Sequence, residues 1–343
     1  MSEIRLNLDL LAGEITERHA QQFPQVFERY GPIGKIRCRE DARFHLVYLA
    51  AALDTDIPEF FLDYVGWARV MLASRNVPPE DLARNLRIIE QVLRDRLTDE
   101  TARRASAMID AAIERLPSMP EDVPSFLHGD GPVDRAAHEY LDHLLAGNRR
   151  AATALIERVL DSGVTARDVY RRIFEPVQQE VGRLWQLNRL NVAQEHFCTA
   201  ATQHVMTQLY SRLFSGASST RTLVAMCVGG ELHEVGLRIV TDLLELEGWQ
   251  TFYLGANVPP ADAIRMCVER DADVLLVSAT TTPHIPAVAE VVRLFRSQPA
   301  LADARVIVGG RAFAVEPGLW RRIGADGYAA NADECIELLE RIA

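Results

Sequence analysis

Apolar residues recur at three- and four-residue spacing through FHLVYLAAAL, FFLDYVGWARVMLA and LARNLRIIEQVLRDRL, and this period predicts helix throughout residues 1–116. Pro58 and the Pro78-Pro79 pair supply helix starts, because a first-turn proline lacks an amide that would have no partner there anyway. Over residues 117–132, Pro117, Pro120, Pro124 and Pro132 stand among Ser, Asp and Gly, a composition that reads as a linker. A second helical set follows over residues 133–214: AAHEYLDHLLAG, RRAATALIERVLDSG, ARDVYRRIFEPVQQEVGRLWQLN and VAQEHFCTAATQHVMTQLYSRLF, broken at Gly147, at Gly163 and at residues 188–191. Four helices with short connections predict a four-helix bundle. After SGASS the period changes. Short β-rich runs, TLVAMCVGG, ADVLLVSAT and ARVIVGG, alternate with VGLRIVTDLLELEG and IPAVAEVVRLFRSQ, which predicts a doubly wound, Rossmann-like parallel sheet over residues 220–343. The fold class is therefore α followed by α/β.

With 343 residues there is room for two or three domains, and 48% hydrophobic content lets each bury a core. A net charge of −11 argues against a sequence-independent grip on a phosphate backbone; only residues 35–43 are locally basic, and no DNA-reading helix pair is recognised. The five cysteines, Cys38, Cys198, Cys227, Cys267 and Cys335, are scattered without metal or disulfide spacing. No apolar run approaches the ~20 residues that span a bilayer, so the expected compartment is the cytoplasm.

In a doubly wound sheet, ligands lie beyond the carboxyl ends of the strands. The first strand is followed by GGELHEVG, with Glu231, His233 and Gly236; the second predicted strand ends at Ser278-Ala279-Thr280; the third ends at Gly309-Gly310. A neutral imidazole is a good ligand for a transition metal. Glu231, two residues before His233, can accept a hydrogen bond from the other ring nitrogen and set the tautomer. Gly236 removes a side chain where a large ring would approach. Together the three loops resemble the cobalamin-binding pattern DxHxxG, then SxL or SxT, then GG, of methionine synthases, mutases and cobalamin-dependent light sensors. That resemblance implies cobalt ligated from below by His233. It also implies a nucleotide tail threaded past the hydroxyls of Ser278 and Thr280 to Gly309 and Gly310. Glu231 stands where the family has Asp.

In the bundle, Trp185 precedes Glu195-His196 by nine intervening residues. An indole is a flat apolar lid for a nucleoside, and a carboxylate accepts ribose hydroxyls. This resembles the Wx9EH pattern of cobalamin photoreceptors, which implies that the bundle caps adenosylcobalamin, with Trp185 packed on the adenosyl group and Glu195 and His196 contacting it. Some of those regulators carry a His directly after the Trp that captures cobalt once light has expelled the adenosyl group. Gln186 occupies that place here, and an amide is a poor cobalt ligand. Water, or another residue such as His196, would then complete the coordination.

The segments RFHLVYLAAAL and DYVGWARVMLASRNVPPEDL resemble the N-terminal region of photocobilins, which bind biliverdin beside adenosylcobalamin. A bilin needs aromatic walls, available from Phe60, Phe61, Tyr64 and Trp67, and cations for two propionates, available from Arg37, Arg39, Arg43, His45 and Arg69. Tyr64, Trp67, Arg39, Arg43 and His45 are the bilin contacts expected. The resemblance as a whole implies a light sensor rather than an enzyme, with adenosylcobalamin and biliverdin as chromophores. No catalytic or DNA-reading segment is recognised up to Ala343, so output is expected through self-association or a downstream protein. The alternatives are a corrinoid carrier of a methyltransferase system, whose bundle and sheet would look the same, and a passive cobalamin store.

Overall fold

The computed structural model describes residues 3–213 and 221–342, so the SGASS connection and the predicted bundle end at Phe214 lie outside the described residues. The chain divides into two compact units, Met1–Asp122 and Val123–Ala343. The division falls inside the Pro-rich stretch.

The first unit is built from helices α1 (Glu3–Leu6), α2 (Leu8–Gln22), α3 (Pro24–Thr55), α4 (Pro58–Ala73), α5 (Pro79–Arg96) and α6 (Asp99–Arg115). Pro58 and Pro79 open α4 and α5 at the positions where their missing amides cost nothing. The long α3 is broken at Gly31, whose φ of 64° followed by Pro32 interrupts the hydrogen-bond ladder. Leu46, Leu49, Phe60, Phe61, Val65, Leu86, Ile89 and Ile109 form its core. Part of the predicted linker belongs to this unit: Arg69, only 5% exposed, donates to the carbonyls of Leu116 and Met119 and to the Glu121 carboxylate.

The second unit begins with the other half of that stretch, which is also held. Glu180 accepts hydrogen bonds from the Ser125 hydroxyl and the Phe126 amide, and Arg183 donates to the Val123 carbonyl. The bundle comprises α7 (Pro132–Leu145), α8 (Arg149–Asp161), a third helix made of α9 (Ala166–Val169) and α10 (Glu175–Gln186) joined by a π turn at Tyr170–Phe174, and α11 (Val192–Leu213). Pro176 explains the π turn. It has no amide for the carbonyl one α-turn back, and the Glu175 amide reaches the Tyr170 carbonyl instead. Tyr140, Tyr170, Ile173, Phe174 and Val205 fill the bundle core, continuous with Leu223, Ala225, Ile239 and Leu243 of the sheet layer.

The sheet is formed by β1 (Thr222–Cys227), β2 (Gln250–Tyr253), β3 (Val274–Ser278), β4 (Arg305–Gly309) and β5 (Gly327–Ala329), all parallel in the order β2-β1-β3-β4-β5. The crossover helices are α12 (Val235–Leu246), α13 (Pro260–Glu269), α14 (Ile285–Arg296) and α15 (Leu319–Arg322), and α16 (Ala332–Ile342) follows the last strand. The sequence pattern had announced β1, β3 and β4, which are buried apolar runs. It had not announced β2, exposed at Gln250 and half-buried beyond, or the three-residue β5. The strand order reverses between β1 and β3, which makes their carboxyl ends the switch point where such sheets bind ligands. Cys227, Ser278 and Gly309 end their strands in register, so the three motif loops leave the sheet from one row.

Candidate functional site

The loop after β1 is held before it reaches His233. The Glu231 amide bonds to the Val228 carbonyl, Gly230 turns with φ 84°, and Asn257 grips both sides, its side chain accepting from the Gly230 amide and its own amide donating to the Glu231 carbonyl. Glu231 is completely buried. Its Oε1 accepts from the His233 amide at 3.0 Å and from His233 Nδ1 at 2.5 Å. Its Oε2 accepts from the Thr280 and Thr281 amides at 2.7 and 3.2 Å and from His284 Nδ1 at 3.0 Å. The longer carboxylate therefore spans the crevice between the β1 and β3 loops. Burial pushes the Glu231 carboxyl upward, but the hydrogen bonds from His233 and His284 outweigh it and hold the group well below the usual carboxylate range. Since a carboxylate only accepts, His233 carries its proton on Nδ1 and leaves Nε2 for a metal. The same hydrogen bond holds the imidazole above its ordinary range against the effect of burial, and the Glu195 charge adds to this. The His233 side chain is 64% exposed.

On the bundle side, residues 188–191 form a turn with Asn188 at φ 56°. Asn191 and Gln194 exchange side-chain-to-amide hydrogen bonds in a capping box that starts α11. This cap places Glu195 and His196 in the first turn. Glu195 Oε2 accepts from His196 Nδ1 at 2.5 Å, and Oε1 accepts from the Thr199 hydroxyl at 3.1 Å. Behind them a polar ladder runs into the bundle: Gln178 Oε1 lies 3.2 Å from the Thr199 hydroxyl, Gln178 Nε2 donates to the Thr202 hydroxyl at 2.8 Å, and buried Tyr140 donates to Thr202 at 3.2 Å. Trp185 ends α10 half-buried against the core, and the neighbouring Gln186 is buried. Two turns along α11 from Glu195, Gln203 donates to Glu234 at 2.8 Å, so this helix is docked on the residue that follows His233.

Known proteins decide what this arrangement holds. Two family models match, each described as a B12 binding domain, one over residues 221–337 and the other over residues 136–210. Dimethylamine corrinoid protein 3 of Methanosarcina mazei is 31% identical over 123 residues, covering 36% of this chain and 72% of that protein. The chain belongs to the B12-binding family. The HTH-type transcriptional repressor CarA of Myxococcus xanthus is also similar to this cobalamin-binding protein, 30% identical over 190 residues, 54% of this chain and 63% of the repressor. The structure of Methanosarcina barkeri monomethylamine corrinoid protein, 20% identical, aligns with a TM-score of 0.54 over 61% of this chain and 99% of that one, a likeness of fold.

The residues present fit a corrinoid. Among the described residues no group of three or more His, Cys, Asp or Glu converges on a metal position; a corrinoid brings its own ring donors and would need from this chain only an imidazole such as that of His233. A Cβ on Gly236 would meet nothing within 4 Å, which leaves the floor beside His233 open to a flat ring. Gly310 has a different reason to be glycine from the room for a nucleotide tail expected of it. At φ 95° a Cβ would stand 2.3 Å from the Ala279 carbonyl, so the backbone crossing of the β3 and β4 loops already requires it. Ser278 is buried at the strand end, while Thr280 is half-buried and gives its amide to Glu231. His284, Asn257, Gln178 and Thr199 were not legible in the motifs. Their only sequence signal is a polar residue in the loop after a strand, or one or two helical turns from a motif residue.

The expected bilin residues fall into two groups. His45 is 2% exposed, burial pushes its pKa down to about 4, and its Nδ1 lies 2.8 Å from the Tyr64 hydroxyl; it is a neutral core residue and not a propionate cation. Tyr64 is buried and stacked on Tyr48 at 3.9 Å. Arg69 is likewise committed to the carbonyls at the end of its own unit. Trp67 is half-buried; Arg39 and Arg43 are exposed, where Arg43 pairs with Asp9 and Arg39 reaches the Asp9 carbonyl. Cys38 lies beside His19 and Asn85, and burial pushes its thiol up to about 11.

Proposed function

We propose that this protein is a non-catalytic, cytoplasmic light sensor that uses adenosylcobalamin, with biliverdin as a second pigment, and signals through a changed association with a second copy or a downstream protein. The observation that carries the reading is the Trp185-x9-Glu195-His196 motif, whose Glu195 and His196 lie on α11, the bundle helix that Gln203 joins to Glu234 beside His233. In its adenosyl form the cofactor supplies a light-labile cobalt–carbon bond. The chain's own residues do the rest. Trp185 offers an apolar lid, Glu195 accepts hydroxyls, and the Gln178–Thr199–Thr202 ladder holds the carboxylate in place. A change in what α11 closes on is transmitted to the sheet through Gln203–Glu234, through Tyr170, which donates to Asp242 at 2.8 Å, and through Arg167–Glu247 and Arg171–Asp333. This seam of polar contacts suits a two-state element that a ligand biases.

Loading the protein with adenosylcobalamin in darkness, then recording its spectrum and size-exclusion profile before and after green light, tests the reading. A spectrum indifferent to light rejects it. Biliverdin is supported by the N-terminal resemblance alone, with Arg39, Arg43 and Trp67 as the remaining contacts; a red-shifted band on adding biliverdin to the full chain is the expected sign. A corrinoid methyl carrier is the second reading, favoured by the likeness to the Methanosarcina mazei dimethylamine corrinoid protein. Methyl transfer to and from the methylcobalamin-loaded chain in the dark, catalysed by a corrinoid methyltransferase, would support it over the sensor.

A further inference from the structure

The large apolar side chains left exposed in the first unit are not scattered. Among its described residues they are Leu6, Leu10, Ile33, Ile36 and Phe44, all more than half exposed, and they lie on α1, α2 and α3, with none on α4, α5 or α6. A lone exposed leucine needs no explanation, but an apolar strip bordered by charge marks a contact surface. Beyond the kink at Gly31, α3 runs without interruption, and Ile33, Ile36, Arg37, Glu40 and Phe44 occupy the i, i+3, i+4, i+7 and i+11 positions of one exposed face about 17 Å long. The ions on this face balance. Arg37 and Glu40 pair at 2.7 Å, both exposed. Arg43 and Arg39 are drawn to α2 instead, where Asp9 takes Arg43 on its carboxylate at 2.9 Å and Arg39 on its carbonyl at 3.5 Å. Lys35 falls about 200° round the helix from Ile33.

The order of groups along the strip is palindromic: apolar, cation, anion, apolar. Ile33 and Phe44 are equidistant from the point between Cys38 and Arg39, and so are Arg37 and Glu40. A two-fold axis through that point, with the helices antiparallel, sets Ile33 of each copy against Phe44 of the other and Arg37 of each against Glu40 of the other. A parallel pairing would oppose cation to cation. We propose that this face of α3, with Leu6 and Leu10 on the adjoining helices, is an isologous contact with a second copy of the chain. A purely acidic or purely basic partner would leave one member of the Arg37–Glu40 pair unmatched, whereas a second copy satisfies both. Every residue of the contact belongs to the first unit, so the proposal stands apart from the reading of the cofactor site. A strip one helix wide is smaller than the roughly 800 Å² per partner of a standard interface, so the dimer should be weak, with a Kd on the order of ten micromolar.

Sedimentation equilibrium of the full chain as purified, kept dark, from about 1 to about 200 μM tests this. Wild type should pass from monomer to dimer across that range. Phe44→Asp, which puts a charge against the apolar end of the partner strip, should raise the dimer Kd more than about tenfold. Arg37→Glu opposes two carboxylates on each side of the axis and should raise it about tenfold, and the double variant Arg37→Glu/Glu40→Arg should return it to within about threefold of wild type. Because these side chains are exposed, each variant should melt like wild type by circular dichroism, and a rescue by the second substitution separates lost pairing from a damaged fold. A wild type that stays monomeric to the top of the range overturns the proposal and leaves the face to a different protein. A dimer unchanged by Phe44→Asp and Arg37→Glu also overturns it, since the contact then lies elsewhere on the chain, and a double variant as weak as Arg37→Glu alone overturns the antiparallel register.

Discussion

Two histidines lean on carboxylates through hydrogen bonds of the same length, but their settings are opposite. Glu231 is sealed between the β1 and β3 loops and accepts five hydrogen bonds, three of them from backbone amides. Glu195 lies on the first turn of a helix and has only the neighbouring imidazole and the Thr199 hydroxyl. A carboxylate fixed by amides of two separate loops cannot turn without leaving buried donors unmet. One fixed by side chains of its own helix turns at little cost. The Glu231–His233 pair is thus rigidly prebuilt, and the Glu195–His196 pair is adjustable.

The largest expected effect is on the anchor. Glu231→Ala leaves the amides of Thr280 and Thr281 and two imidazoles without their acceptor and should cost the second unit about 3 kcal/mol in chemical denaturation, together with His-on cobalamin binding. The matching Glu195→Ala should cost less than about 1 kcal/mol; similar losses at the two sites would erase the contrast. Next comes the seam. Burial raises Asp242 to about 6, so the folded state holds its proton more tightly than the unfolded chain between about pH 4 and 6. Its contribution is present at low pH and is lost as pH rises through 6, by about 3 kcal/mol in all. Asp242→Asn should remove that slope from the stability profile of the cofactor-free protein; an unchanged slope would show that the seam is not a buried-carboxylate contact. His284→Gln should then weaken cobalamin affinity by about tenfold by equilibrium titration while leaving the fold intact, since it removes one of five donors to Glu231. A small effect is also expected from Tyr140→Phe at the foot of the Gln178–Thr199–Thr202 ladder, about 1 kcal/mol in stability with no change in the His-on spectrum.

The helical period of residues 1–116, the bundle and the three central strands were all legible, because long amphipathic helices and wholly buried strands carry dense apolar signals. The edge strands β2 and β5 were not, since a strand of three or four residues on a sheet edge carries few apolar positions. Within the site, Glu231 and His233 were legible because they are two residues apart on one loop. His284 and Asn257 join them only through the pairing of β3 and the β2–α13 loop with β1. In the first unit, arginine and histidine seen along a helix looked like propionate cations; folding buried His45 beside Tyr64 and turned Arg69 into a tether for its own chain end.

By itself, then, the sequence determined the order of the layers, the family pattern and the pairing of Glu231 with His233, all of which depend on local period and on residues close together in the chain. Tertiary structure decided which tautomer His233 presents, that Glu231 is held from two loops at once, that Gly310 answers to the backbone of Ala279, and that α11 docks beside the His233 loop through Gln203 and Glu234. Those outcomes depend on contacts between segments remote in sequence, where burial strips water from a polar group and makes its remaining partners decisive.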